Sequence, residues 1–376
     1  MKDLLASCRA RSREMEDLLA DLTRIESPST DAEGVARLAR RVADELEHLG
    51  LPVELLPVDG AGPVLRALRG SRPVMLLGHL DTVWDLGTLA QRPVRIEDGR
   101  LYGPGCFDMK GGIVVLVHAL KALARHGSLP DVCVFLTPLE EVGAEGYRGA
   151  MEESMLASRA VLDFEPAWPG GAVKTARKGS ASFVLRARGV AAHAGADFAR
   201  GANAIVELAR RISDAAALTD LSRGITVNVG TIQGGTRPNV VPDEAHAELD
   251  VRFRALADAE AMRAALTSLR PEDSRIRLSL DTKSFYPPLE RGPHVVATFQ
   301  AAVAVAEELG LPPLEEVATG GASEASFAAA LGIPTLDGLG ADGDGAHAES
   351  EHVILSSIPD RAALAAGLIR KLSKPS

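Results

Sequence analysis

Apolar and polar positions follow two different rhythms along this chain. Up to about residue 178, and again from about 289, short wholly apolar runs alternate with stretches whose apolar positions recur every three or four residues. Residues 31 to 49 predict a helix opened by a capping box of Thr30 and Glu33 and closed by Gly50. "LPVELLPV", "PVLRAL" and "PVMLLGH" follow as strands. "MKGGIVVLVHALKALARHG" reads as a buried helix ended by Gly127, "DVCVFLTP" as the next strand, "YRGAMEESMLAS" as a helix and "AVLDFEP" as a further strand. Such alternation predicts an α/β fold with a mostly parallel sheet covered on both faces.

Between 179 and 288 the period becomes two. "SASFVLRARGVAAH", "ITVNVGTIQGG", "EAHAELDVRFRA" and "RIRLSLDTKS" alternate, with helical stretches "GANAIVELARRISDAAALTD" and "ADAEAMRAALTSL" among them. The order strand–helix–strand–strand–helix–strand predicts a separate α+β unit of ferredoxin-like kind. "FYPPLERGP" reads as the hinge back. The expectation is therefore an α/β domain in two parts, 1–178 and 289–376, interrupted by an inserted domain over 179–288.

Bulk properties narrow the function classes. A chain of 376 residues exceeds one typical core. A net charge of −10 and only 4% aromatic residues argue against a nucleic-acid groove, which needs basic patches and stacking rings. No apolar run reaches the roughly 18 residues of a membrane span. The start, "MKDLLASCRARSREMEDLLADLTRIES", has the period of an amphipathic helix and lacks the apolar centre of a signal peptide. Cys8, Cys106 and Cys133 are too scattered for a disulfide framework or a metal knuckle. A cytoplasmic setting is expected, with a leader removed beforehand left open.

The chemistry sits where apolar runs end. "VMLLGHLDTVW" carries Val74 to Leu77 into His79 and Asp81, which share one strand face at the carboxyl end, the edge where open α/β sheets bind ligands. Asp108 lies between glycines before a helix; Glu140 and Glu141 follow "VCVFLTP"; Glu165 follows "AVLDF"; His347 lies in "LGADGDGAHAESEHV". Two histidines with three or four carboxylates suit a pair of divalent ions, zinc by preference. Three ligating carboxylates against two Zn²⁺ leave a net positive charge that favours hydroxide, whereas a single zinc would be outweighed. Asp163, two residues before Glu165, is a rival ligand on the same strand face.

The ordered set "GHLDTV", "GPGCFDMKGG", "EEVGAEG", "FEP", "GVAAHAG", "GGTRPNVVP…DVR" and "GAHAESEHV" closely resembles the co-catalytic zinc exopeptidase family, over nearly the whole chain. That family includes glutamate carboxypeptidases, aminoacylases, acetylornithine deacetylases and succinyl-diaminopimelate desuccinylases. The resemblance implies two Zn²⁺ per subunit, with His79 on one ion, His347 on the other and Asp108 bridging. It implies that Glu141 and Glu165 complete the two sites, Glu140 acts as general base and the Asp81 carboxylate supports His79. It also implies a homodimer formed through the inserted lid domain, with His193 reaching the partner subunit's site to stabilise an oxyanion. Asn239 and Arg252 would bind the substrate's terminal carboxylate, Lys174 would add charge for an acidic side chain, and Gly345 would offer a backbone donor.

"GHLDTVW", "FEP", "ARKGS" and "GASEASF…LGIPTLDGLG" look most like the glutamate carboxypeptidase branch. The expected substrate is a small peptide or N-acyl-amino acid, with an N-acyl-amino-acid deacylase as the alternative. A two-metal nuclease or phosphatase, or a non-catalytic metal-binding descendant, fits less well, because base and ligands are all present and basic patches are missing.

Overall fold

The computed structural model describes residues 2–127, 129–144 and 146–374. The chain forms two compact units. One comprises Met1–Ala176, Arg291–Thr319 and Ser323–Ser376, the other Arg177–Glu290 and Gly320–Ala322.

The first unit is built on a six-stranded sheet in the order Val53–Leu56, Val64–Arg69, Val132–Thr137, Val74–His79, Ala160–Asp163, Thr335–Leu336. The last four strands pair in parallel, and the first two join antiparallel at one edge. Every residue of Val74–His79, Val132–Thr137 and Ala160–Asp163 is buried. A strand buried at consecutive positions is covered on both faces, which explains why these runs are apolar without alternation.

The helix Gly111–Arg125, apolar on almost every side, packs in the main core with the carboxyl-terminal helix Ser357–Leu372. Gly112 is needed there. A Cβ on it would lie 1.9 Å from the carbonyl oxygen of Phe164, just past the strand Ala160–Asp163. The helix can thus sit directly against the strand end that carries Glu165.

Some sequence expectations are corrected. The helix predicted from 31 spans Ala32–Glu47 with Asp31 at its cap and no side-chain capping bond, so the Thr30–Glu33 box does not form. Asp31 instead faces Arg37 at 3.5 Å. The amino-terminal amphipathic stretch is two helices, Lys2–Arg9 and Ser12–Thr23. A small antiparallel sheet of Gly343–Asp344, His352–Ile354, Arg100–Tyr102 and Arg95–Glu97 was not predicted. Its strands are too short, and one too exposed, to leave an apolar pattern. It matters for the site, because pairing of His352 with Tyr102 brings the loop after 344 to the segment leading into Asp108.

In the second unit the strands run in the order Thr226–Gly234, Glu244–Phe253, Gly179–Arg188, Arg277–Tyr286, all antiparallel. Helices Ala204–Ala216 and Leu256–Thr267 pack on this sheet over a core that includes Phe183, Leu185, Leu249 and Phe253. This is the ferredoxin-like arrangement that the period-two rhythm predicts.

Gly112→Ala sets helix propensity against packing. Alanine gains about 1 kcal/mol in a helix interior, whereas overpacking costs about 1–3 kcal/mol, and the obstacle here is a backbone carbonyl. The variant should therefore unfold at a lower urea concentration than the parent protein. An unchanged or higher midpoint would mean that the helix does not lie that close to the strand end.

Candidate metal centre

Parallel pairing places His79 opposite Thr137 and Leu77 opposite Asp163. The segments just beyond these three strands therefore emerge on one rim with Asp81, Glu140, Glu141 and Glu165. The hairpin between Gly343–Asp344 and His352–Ile354 adds His347. The backbone of His347 has φ 62°, in the left-handed region that non-glycine residues seldom occupy.

His79 is buried and held by its two nitrogens differently. Nδ1 lies 2.9 Å from the main-chain carbonyl oxygen of Asp81. That oxygen can only accept, so Nδ1 carries the hydrogen. Nε2 then faces Asp108 Oδ1 at 3.1 Å and Glu165 Oε1 at 3.4 Å. In a neutral ring, three acceptors would point at one another, and a cation at Nε2 removes that repulsion. His347 Nε2 lies 3.3 Å from Asp108 Oδ2 and 3.3 Å from Glu141 Oε2. The two oxygens of Asp108 thus serve different histidines.

Ligand atoms of His79, Asp108 and Glu141 lie within 4.8 Å of one another, as do those of His79, Glu140 and Glu165. Glu141 Oε1 is buried without a hydrogen-bond partner. A buried carboxylate oxygen left unpaired among other carboxylates fits a divalent cation, and so does this oxygen- and nitrogen-rich donor set.

The Asp81 carboxylate serves both His79 and a neighbouring loop. It stands 3.5 Å from His79 Nδ1, and its oxygens accept from Glu140 N at 3.1 Å, Glu141 N at 3.2 Å and Ser29 Oγ at 2.7 Å. The residue grips His79 through its main-chain oxygen with the carboxylate alongside, and the Glu140–Glu141 loop through its side chain. Of the rivals at the end of the strand Ala160–Asp163, Glu165, just past it, faces His79, whereas Asp163 accepts from Ser323 Oγ at 3.4 Å. Lys174 is buried with its Nζ 3.9 Å from Glu165 Oε2, so its charge bears directly on that carboxylate. The N–H of Gly345 is engaged by Asp344 Oδ1 at 2.7 Å and does not stand free as a donor.

The protein groups alone set up strong proton competition. Burial works against protonation of His79, but hydrogen bonds to Asp108, Asp81 and Glu165 outweigh it and hold the pKa well above the ordinary value. Hydrogen bonds to Asp108 and Glu141 push His347 up to about 10. Burial and the charge of Glu165 push the Glu140 carboxyl well above its usual range, against the opposing pull of His79. Asp108 moves the other way: the two histidines outweigh its burial and hold it far below the carboxylate range.

In the second unit, His193 Nδ1 accepts from the N–H groups of Gly195 at 3.1 Å and Ala196 at 3.0 Å. The hydrogen of the neutral ring is thereby fixed on Nε2, which makes that nitrogen a donor. Asn239 adjoins it, with its carbonyl accepting from Ala194 N at 3.0 Å and His193 paired with Val240. Arg252 is engaged by Asp250 on the same strand, Nε to Oδ1 at 2.8 Å and Nη2 to Oδ2 at 3.0 Å. A substrate carboxylate at Arg252 would have to share the fork with Asp250.

Two buried acids escaped the sequence reading. Glu324 accepts from Thr137 Oγ1 at 2.8 Å and Tyr147 Oη at 2.5 Å. It thereby clasps the two ends of the segment bearing Glu140 and Glu141, and burial pushes its carboxyl up to about 7. Glu351 accepts from the backbone N–H groups of the Asp108 segment. Its one sequence signal was its position four residues after His347, ahead of an apolar strand.

Residues 75–371 match the model of "Peptidase family M20/M25/M40". The chain is 32% identical over 369 residues to carboxypeptidase G2 of Pseudomonas sp. (strain RS-16), covering 94% of this chain and 88% of that protein. It is 33% identical over 259 residues to a succinyl-diaminopimelate desuccinylase of Corynebacterium glutamicum, covering 63% of this chain and 67% of that protein. Among solved structures, aminopeptidase PepT from Bacillus cereus aligns with a TM-score of 0.77 at 22% identity, over 96% of this chain and 99% of that one. The expected resemblance and fold are borne out: the chain belongs to peptidase family M20/M25/M40, whose members are dinuclear metal-dependent hydrolases of small peptides and acyl-amino acids.

Proposed function

We propose that this hydrolase is a two-zinc carboxypeptidase that releases a carboxyl-terminal amino acid, glutamate by preference, from an amide. The observation that carries the reading is the Asp108 carboxylate divided between two histidine rings, each of which also faces a further carboxylate. His79 and Glu165 would hold one ion, His347 and Glu141 the other, with Asp108 between them. The likeness to carboxypeptidase G2 across 94% of the chain supports a carboxypeptidase, and the preference for glutamate rests on the resemblance of "GHLDTVW", "FEP" and "ARKGS" to the glutamate carboxypeptidase branch.

When bound, the metal pair supplies Lewis acidity for the scissile carbonyl and for water. The remaining steps belong to side chains. Glu140, fixed through its backbone N–H by Asp81, takes a proton from water as the new C–O bond forms. It returns that proton to the amide nitrogen as the C–N bond breaks, so an acid and a free amino acid leave. Nε2–H of His193, supplied across a homodimer by the partner subunit's His193, would donate to the developing oxyanion. Asn239 and Arg252 would receive the terminal carboxylate, with Asp250 yielding part of the guanidinium. Lys174 would temper the charge of Glu165.

A second reading, N-acyl-amino-acid deacylation, is favoured by the 33% identity to a succinyl-diaminopimelate desuccinylase. It uses the same residues, and the two differ in which half of the amide is recognised.

Three outcomes are expected. An imidazole must be neutral to bind a metal, and His347, with its pKa pushed up to about 10, is protonated at pH 7. Zinc uptake by metal-stripped protein at pH 7 should therefore release about one proton per histidine ligand, and apparent affinity should weaken as pH falls. Calorimetry in buffers of different ionisation enthalpy reads this directly. Uptake without proton release would remove the histidines as ligands.

Asp81→Ala should lower metal affinity or activity by roughly 10–100-fold with the fold intact; parental behaviour would end its positioning role. Finally, zinc-loaded protein should hydrolyse benzoyl-glutamate in preference to benzoyl amides of Asp, Gly, Leu, Arg or ornithine, and Glu140→Gln should lose about 10²–10⁴-fold. Preference for another amino acid with small acyl groups moves the protein to the deacylase branch.

A further inference from the structure

Glu351 is fully buried, yet it is not among the groups facing the two histidines. Its carboxylate accepts four hydrogen bonds. Oε2 takes Trp84 Nε1 at 2.7 Å and Gly105 N at 2.9 Å; Oε1 takes Phe107 N at 2.9 Å and Asp108 N at 3.1 Å. These donors come from different places in the chain. Trp84 lies in the segment leaving His79 and Asp81, the three amides belong to the turn that presents Asp108, and Glu351 itself follows His347 by four residues. Pairing of His352 with Tyr102 sets the register. Arg92 adds a second tie: its guanidinium lies 4.3 Å from the Trp84 ring centroid, and it donates to the carbonyl of Glu349 at 2.8 Å.

We infer that Glu351 is a positioning residue of the metal centre, a carboxylate clasp that locks the His79, Asp108 and His347 segments into one spatial register. The inference deepens the two-metal reading and rests on it. The chemistry explains why a carboxylate is required. Four donors converge from two sides, and only an ionised carboxylate presents two oxygens that are acceptors alone. A glutamine offers one such oxygen, and its amide group would meet the other donor pair with hydrogens of its own. Burial of the negative charge is tolerable because every lone-pair direction is used. Asp108, whose two oxygens must face two rings at once, is the ligand most sensitive to a shift of its backbone.

The test uses the full chain carrying Trp168→Phe, which leaves Trp84 as the one indole. In metal-stripped protein, Glu351→Gln should change the emission of Trp84. Zinc affinity, measured by chelator competition far from the urea transition, should fall roughly 10–100-fold at both sites. Trp84→Phe removes a single donor and keeps the aromatic packing. It should weaken zinc several-fold, and it keeps the test open should Glu351→Gln fail to fold. Lowered urea stability with parental zinc affinity and parental Trp84 emission would assign Glu351 a merely structural role and overturn the inference. If the parent protein takes up fewer than two zinc ions, the metal reading itself fails, and the emission change then still decides whether the clasp exists.

Discussion

The shared carboxylate of Asp108 is the constraint from which the rest of this site follows. Its two oxygens face His79 at 3.1 Å and His347 at 3.3 Å, while Glu140, Glu141 and Glu165 crowd round the same rings. Two like charges about 4 Å apart repel by on the order of 4 kcal/mol at the effective dielectric of a protein. Charges gathered this closely need protons or cations to separate them. The raised histidine pKa values and the raised pKa of Glu140 express the same strain in terms of protons. Protons and divalent ions therefore compete for the same places.

Repulsion of that size would push the loops apart unless each were tied from behind. The ties are again acids, but acids that face backbone N–H and hydroxyl donors instead of other carboxylates. Asp81 fastens the Glu140–Glu141 turn to the strand bearing His79. Glu324 closes the two ends of the same segment. Glu351 joins the segments of Trp84, Asp108 and His347. The parallel sheet brings the chain ends to one rim; these ties fix where on the rim each side chain stands. The adjacent Glu140 and Glu141 thereby share one anchor, the Asp81 carboxylate.

The sheet was legible because its signal is local and strong. Val74–His79 and Val132–Thr137 are buried at every position, and an uninterrupted apolar run can hardly be anything but an interior strand once helices flank it. The position of His79 and Glu165 at strand ends followed from the same pattern. The clasping acids were not legible, because a buried carboxylate is defined by what surrounds it, and those donors lie far away in sequence. Nothing in "GASEASF" distinguishes Glu324 from an exposed helix-start acid. The small sheet that aligns His347 with Asp108 was lost for a related reason: strands of two or three residues leave too short a pattern. The i, i+2 spacing does put Asp81 beside His79, where its main-chain oxygen accepts from the ring and its carboxylate stands 3.5 Å from the same nitrogen; the bonds of that carboxylate to the Glu140–Glu141 loop join residues far apart in sequence and left no local signal.

In the proposed reaction, metal binding and proton transfer draw on one part of the chain, and the binding of oxyanion and terminal carboxylate on another. All groups around the two histidines belong to the α/β unit, whereas His193, Asn239 and Arg252 belong to the inserted one. A ligand set that holds ions says little about which amide is cut. On the proposed reading, the inserted unit would meet a different physical requirement. Its donors must be ready before substrate arrives yet must not bind every passing anion. His193 satisfies the first condition, since two backbone amides fix its tautomer. The Asp250 carboxylate satisfies the second, since it occupies the fork of Arg252. An entering carboxylate gains only the difference between its own contacts and those of Asp250. A substrate that brings further contacts with it would therefore be favoured over a simple anion.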